Sequence, residues 1–425
     1  MSRPDRRGSS FRRDRLTLTL YASFITWGWF LYGFSPAVPL IAVEQSISRG
    51  QAGLHGTAMA VGTVATGLIS SAVAQRYGRR LQSLVGAAII VAGVGLLLVA
   101  STLPVTLTAV FIAAVGGNLS LSSAQPALVV HHGAAGSAAV TEANAIGAAF
   151  GLLAPLVVGG SVALGWGWRP AVALVIVLTT LTGILMLRLR SDGALGRGTT
   201  TRAVHAVVTD DGAGVGRAPA RRPGDGPGAA VAGRSFSLTF WFFWVALISG
   251  VAIEFATTFW ASDLLAARTD AAPSLATASV SALVLGMCVS RFIVGPMSVH
   301  KAPEKLLLIG YATAAVGWLL FWTATTPGPA VVGLVVAGLG YGTHYPLALS
   351  LALRSSDGRP DQAQARSSLG TGAAVAAAPF MLGALADQFG AHSAFLLVPV
   401  LIVIGGTAVA LGLRSVHRSA LQPVG

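Results

Sequence analysis

A single cysteine, two lysines and only 15 acidic residues are found among the 425 residues of this chain. One cysteine, Cys288, allows no intramolecular disulfide and gives no partner for redox chemistry. Charged residues make up 10% of the sequence, too few for the surface of a soluble protein of this length. No His, Cys, Asp and Glu cluster has metal-ligand spacing, and no nucleophile stands with a base. No metal or cofactor is therefore expected, and the sequence does not support an enzyme. No segment outside the apolar stretches has the pattern of a folded extramembrane domain.

Apolar residues fill the space that charge leaves. They make up 54% of the chain, and the mean hydropathy is +0.72. They gather in twelve stretches, near 16–42, 51–75, 83–101, 104–130, 139–164, 169–187, 236–262, 274–298, 305–325, 330–352, 366–386 and 393–413. A hydrocarbon core roughly 30 Å thick is crossed by about 20 helical residues, so each stretch is long enough, and the longer ones fit by tilting. Runs this long that must satisfy their backbone inside hydrocarbon are read as helices. The predicted fold class is an all-α membrane protein of twelve spans, numbered here 1 to 12 in chain order.

The net charge of +13 could be taken for a nucleic-acid footprint, but its placement argues against one. Of 28 Lys and Arg residues, 24 fall on the side of the termini, in the tails, the central loop and the even-to-odd loops. Arg49, Arg169 and Arg268 fall on the other side, and Arg291 lies within span 8. This positive-inside asymmetry predicts a multi-pass protein of the cell membrane with both termini cytoplasmic. The basic start followed by an apolar run imitates a signal peptide, but the run is too long and no small-x-small site follows it, so it is read as span 1.

Residues 191–234 are rich in Gly, Ala, Pro and Arg without apolar periodicity, as expected of a mobile linker. The predicted organisation is a tail over 1–15, a six-helix bundle over 16–190, the linker over 191–234, a second bundle over 235–414 and a tail over 415–425. The two bundles resemble each other at an offset of about 224 residues. Ala154-Pro155-Leu156-Val157-Val158-Gly159 in span 5 is matched by Ala378-Pro379-Phe380-Met381-Leu382-Gly383 in span 11, and Pro126 in span 4 by Pro346 in span 10. Repeated halves with Gly- and Pro-interrupted helices at matching places point to a secondary transporter.

Between spans 2 and 3 the chain reads Ser71-Ala72-Val73-Ala74-Gln75-Arg76-Tyr77-Gly78-Arg79-Arg80. This resembles the loop signature of the major facilitator superfamily, Gly-x-Leu-Ala-Asp-Arg-x-Gly-Arg-Lys, with Gly78 at the turn and Arg76, Arg79 and Arg80 as its bases. Ser71 stands for the small glycine and Gln75 for the acid, so a carboxylate-dependent latch is not implied. A degenerate copy follows span 8, from Gly295 to Glu304. Gly151-x-x-x-Pro155 with Gly159-Gly160 resembles the signature of the superfamily's proton-coupled exporters, or else serves close helix packing. Gly167-Trp168-Arg169 fits the family's next loop. The second half resembles the fucose-permease-like branch, in Glu254 to Trp260, Gly338 to Pro346 and Gly383 to Gly390. That branch carries an acid in span 4, and none is present here.

The resemblance implies two six-helix bundles around a midplane cavity that rocks open to each side in turn. Within it, Glu254 of span 7 is the candidate proton carrier, since a carboxyl in apolar surroundings exchanges protons near physiological pH; the alternative is a structural hydrogen bond to a neighbouring helix. His344 is a second candidate, or a structural histidine. Asn118 and Gln125 of span 4 should face the interior, and Trp27, Trp29, Tyr32, Trp260 and Tyr345 are pocket walls or packing aromatics. Arg291 is read as a gate-pairing or snorkelling side chain, with binding of an anionic solute as the alternative. Glu142 and Arg366, 224 residues apart at equivalent helix starts, suggest a cytoplasmic gate. Glu142 would face His300, Lys301 and Lys305, and Arg366 the loop from Gln75 to Arg80. The expected function is secondary transport of a small organic solute by a monomer in the bilayer, coupled to protons, with export ahead of uptake. A proton-coupled importer and a non-transporting membrane sensor or scaffold are the alternatives.

Overall fold

The computed structural model describes residues 13–191, 193–197, 236–357 and 359–421. Twelve helices among them are long and apolar enough to cross a membrane. Spans 1 to 6 are Arg15–Gln45, Arg49–Tyr77, Arg79–Val99, Leu103–His132, Ala139–Ala163 and Arg169–Leu187. Spans 7 to 12 are Leu238–Thr269, Pro273–Val294, Pro303–Thr323, Pro327–Arg354, Gln362–Ala394 and Leu397–Val416. The described chain therefore begins and ends on one face, called here the basic face; the opposite one is the far face.

Local chemistry sets where the spans start and bend. Asp14 caps span 1, accepting from the Thr17 amide at 2.9 Å. Burial pushes the Asp14 carboxyl up, but the Thr17 amide and hydroxyl and His131 together outweigh it and hold the group below its ordinary value. Span 2 starts in a capping box between Ser48 and Gln51. Gly78, at φ +88°, makes the turn between spans 2 and 3, a backbone shape that a side chain would strain. Span 1 passes through a 3-10 turn at Ser35–Ala37. Span 5 is interrupted at Leu152 and span 8 at Ser279. Pro126, Pro346 and Pro379 lie inside continuous helices.

Small residues let the backbones of each bundle approach closely. A Cβ on Gly86 would run into Gly116 and Ser120, and one on Gly93 into Ala113, joining spans 3 and 4. Gly310, Gly340, Gly317 and Ala337 join spans 9 and 10 in the same way. These four positions are the first set moved by 224 residues, so the repeat extends to the contacts that hold each half together.

The signature loop acts inside the first bundle. Arg80 donates to the last carbonyls of span 6, at Met186 (3.2 Å) and Leu187 (2.6 Å), where the helix dipole favours a cation. Arg79 binds the start of the linker, through its amide to Gly196 and its guanidinium to Ala194. Arg76 lies over the Tyr77 ring, and Gln75 is exposed. On the far face Trp168 and Arg169 do comparable work. Both bind Glu44, and Arg169 also binds the carbonyls of Leu98 and Ala100. Arg80→Ala is expected to lower the melting temperature in detergent, losing about 1 kcal/mol from the span 6 terminus; an unchanged melting curve would leave the arginine without a stabilising role.

Candidate functional site

The hydrogen bonds that join the two bundles lie in the far half of the molecule. Asp387 of span 11 accepts the amides of Arg49 and Gly50, at 2.8 and 2.7 Å. These are free donors in the first turn of span 2, where an anion is favoured. The Arg49 guanidinium pairs with Asp263 of span 7 through two bonds of 2.9 and 3.3 Å. Deeper down, the Thr57 hydroxyl donates to the Ala376 carbonyl at 2.7 Å. Ser281 of span 8 donates to Leu152 at the break in span 5, at 2.8 Å. Glycines close the remaining space. A Cβ on Gly53 would collide with Pro379 and Phe380, and one on Gly159 with Ser274 and Ala278.

Toward the basic face the pattern reverses. Contact between spans 2 and 11 reaches Val64 and Gly372, and beyond it Leu68 and Leu369 are 79% and 64% exposed. Gln125, Asn144, Tyr345, Gln364 and Ser368 stand uncovered on spans 4, 5, 10 and 11. Polar groups at such depth belong on a water-filled cavity rather than against lipid. The far side is closed and the basic side open. Gly53→Val should bias this equilibrium by overpacking, at a cost of about 1–3 kcal/mol to the closed far side. Faster labelling of a far-face cysteine by a membrane-impermeant thiol reagent would register it; unchanged labelling would rule it out.

Below the closure, spans 1 and 7 enclose a cavity of about 180 Å³ lined by Leu31, Tyr32, Ser35, Glu254, Phe255 and Thr258. The sequence that builds it is local. Gly151 leaves room for the Tyr32 ring, and Gly28 with Gly147 brings span 1 against span 5. The glycine pattern of span 5 thus acts in packing and in seating Tyr32. On span 8, Met287 and Ser290 pack against Gly342 of span 10, which leaves Cys288 and Arg291 on the inward side. Arg291 hydrogen-bonds with Tyr32 and feels the charge of Glu254. Tyr341 and Tyr345 of span 10 are also within reach of the Glu254 charge. The Tyr341 hydroxyl meets Thr257 at 3.2 Å.

The expected site residues therefore separate. Glu254, Tyr32 and Tyr345 come together, and Arg291, expected first at a gate, joins them. His344 is buried behind this group, stacked on Tyr311 with ring centroids 4.1 Å apart and tilted toward Tyr341 at 5.7 Å. Trp260 lies in the far-side packing of the second bundle, its indole donating to Pro379 at 2.8 Å and its ring against Gly383. Trp27 covers Gly117, and Trp29 donates to Ala171. Asn118 donates to Thr63 and to the Ala114 carbonyl, tying spans 2 and 4.

The gate residues stand apart in this open-sided state. Glu142 is held by Arg13 through bonds of 2.6 and 3.0 Å. Arg366 lies over the rings of Phe236 and Trp241, at 5.1 and 5.6 Å. Lys301 and Lys305 are exposed, and the His300 side chain lies outside the described residues, as does most of 191–234. Sequence reasoning missed the acceptors of the far-side lock, Asp263 and Asp387. The scarcity of acids was the available signal, since each acid near a far-face helix end demands a partner.

A sequence profile described as the Major Facilitator Superfamily matches residues 18–265 and 242–424. No curated protein matches the chain. Among solved structures, the nucleoside transporter NupG is similar at a TM-score of 0.72 and 12% identity, covering 94% of this chain and 98% of its own. A bacterial homologue of the human lysosomal transporter Spinster, in an inward-facing and occupied conformation, reaches 0.72 at 15% identity, covering 94% of this chain and 96% of its own. A bacterial homologue of the human drug peptide transporters PepT1 and PepT2 reaches 0.70 at 12% identity, covering 96% of this chain and 100% of its own. At such identities the likeness is one of fold.

Proposed function

Because the chain belongs to the Major Facilitator Superfamily, we propose that it is a proton-coupled secondary transporter that exports a small organic solute. It is a multi-pass membrane protein and a transporter, not an enzyme. The basic face is taken as cytoplasmic from the asymmetry of Lys and Arg, so the conformation is open to the cytoplasm and closed outside. The observation that carries the reading is the meeting of Glu254, Arg291 and Tyr32 across the bundle interface, on a cavity directly beneath the closed side. A solute entering from the cytoplasm reaches these residues, and rocking of the bundles then breaks the far-side bonds and exposes the same residues outside. A proton taken up by Glu254 from the outside would reset the cycle. The protein acts as a monomer in this scheme, each bundle supplying one wall of the path.

Reconstituted vesicles with an imposed pH gradient test the reading over a panel of small metabolites and drugs. Gradient-dependent movement of at least one compound, abolished by a protonophore, is expected. Movement that ignores the pH gradient would remove the proton from the scheme, and movement only toward the cytoplasm would reverse the direction.

A further inference from the structure

The charge arrangement at the cavity points to a class of solute, an inference that rests on the reading of this cavity as the transport site. Glu254 and Arg291 lie deeper along their helices than any other charged residue of the described chain. They feel each other's charge, yet among the described residues they form no direct ion pair. Tyr32 stands with them, its hydroxyl bonded with Arg291 and its ring on the cavity wall. Opposite charges buried without contact each carry a desolvation cost that attraction across a gap does not offset. A neutral solute relieves neither charge, and a simple cation or anion relieves one while isolating the other.

We propose that the solute is a small zwitterion of α-amino-acid type. Its ammonium binds Glu254, its carboxylate binds Arg291 and the Tyr32 hydroxyl, and its side chain rests on Leu31 and Phe255. The volume agrees: about 180 Å³ falls below the roughly 300–1,000 Å³ typical of sites for drug-sized ligands. An ammonium on Glu254 excludes a proton there, so solute and proton occupy the carboxylate in turn, as exchange in opposite directions requires.

The test uses the full-length protein in lipid nanodiscs and reads binding by ligand-induced shifts of melting temperature. The probes are the twenty protein amino acids and glycine betaine, together with the methyl ester and the N-acetyl derivative of each amino acid that binds. At least one free amino acid should bind, and blocking either charged end should weaken it by about 10- to 100-fold, the usual worth of a hydrogen bond to a charged group. In Arg291→Gln the free acid and its ester should bind equally weakly. In Glu254→Gln the free amino acid and its N-acetyl form should do so. Blocked derivatives that bind as tightly as the parent, or a panel in which no zwitterion binds, would overturn the proposal. If neither variant folds, the comparison of parent and blocked forms on the wild-type protein decides by itself. Binding without pH-driven flux in vesicles would sink the transport reading and leave this one standing. Flux of a solute lacking one of the two charges would do the opposite.

Discussion

Glu254→Gln is expected to reduce pH-gradient-driven accumulation to background while solute exchange between the two sides persists at saturating concentration. Coupling needs a group that holds a proton in one conformation and gives it up in the other, facing a different side each time. Glu254 meets the structural demands: it lines the cavity under the far-side closure, it comes from the second bundle, and it shares the interface with Tyr32 of the first. Glutamine keeps the shape and much of the hydrogen bonding but cannot titrate, so the bundles still rock around bound solute without a proton to drive them. The solute also binds less tightly, which is why exchange is measured at saturation. Glu254→Asp keeps a titratable group and should restore part of the driven flux. Wild-type accumulation in the glutamine variant would remove Glu254 from the coupling mechanism, and loss of exchange as well would make it a structural residue.

Which parts of this were legible in the sequence follows from the range of the forces involved. The twelve spans were legible because hydropathy acts on each helix alone, and the ends of the predicted stretches fall close to the helix ends. The loop signature between spans 2 and 3 was legible because Gly78 needs an unusual φ. Azimuth and distant pairing were not. Whether Arg291 pointed to a gate or to the cavity depended on which face of span 8 packs against Gly342, and helical spacing alone does not say which neighbour that face meets. Trp260 looked like a pocket wall from its neighbours in sequence, but the close approach at Gly383 draws it into the far-side packing. The pairing of Asp387 with an amide 338 residues away left no local trace.

That distant pairing yields the second large effect, a shift toward the conformation open on the far side in Asp387→Ala. The carboxylate accepts two amides at the start of span 2, and both bonds cross between the bundles. They exist only while the far side is closed, so their loss destabilises that state alone, and a two-state equilibrium moves by the difference. Each bond is charge-assisted, but the rim is open to water, which replaces part of what is lost; about 1–2 kcal/mol is a fair allowance. That corresponds to a factor of about 5 to 30 in the ratio of the two states. Arg49 remains tied to Asp263 in this variant, so adding Asp263→Asn should move the balance further, through the same contact region. Spin labels at Val43 and Gln388, two exposed far-face positions, in a Cys288→Ser background, read the change as a growing long-distance population. Trp168 and Arg169 bind Glu44 within the first bundle and should be indifferent to it. If the distance distribution of Asp387→Ala matches the parent's, the aspartate only caps a helix, and closure of the far side is carried by the glycine contacts of spans 2, 5, 8 and 11.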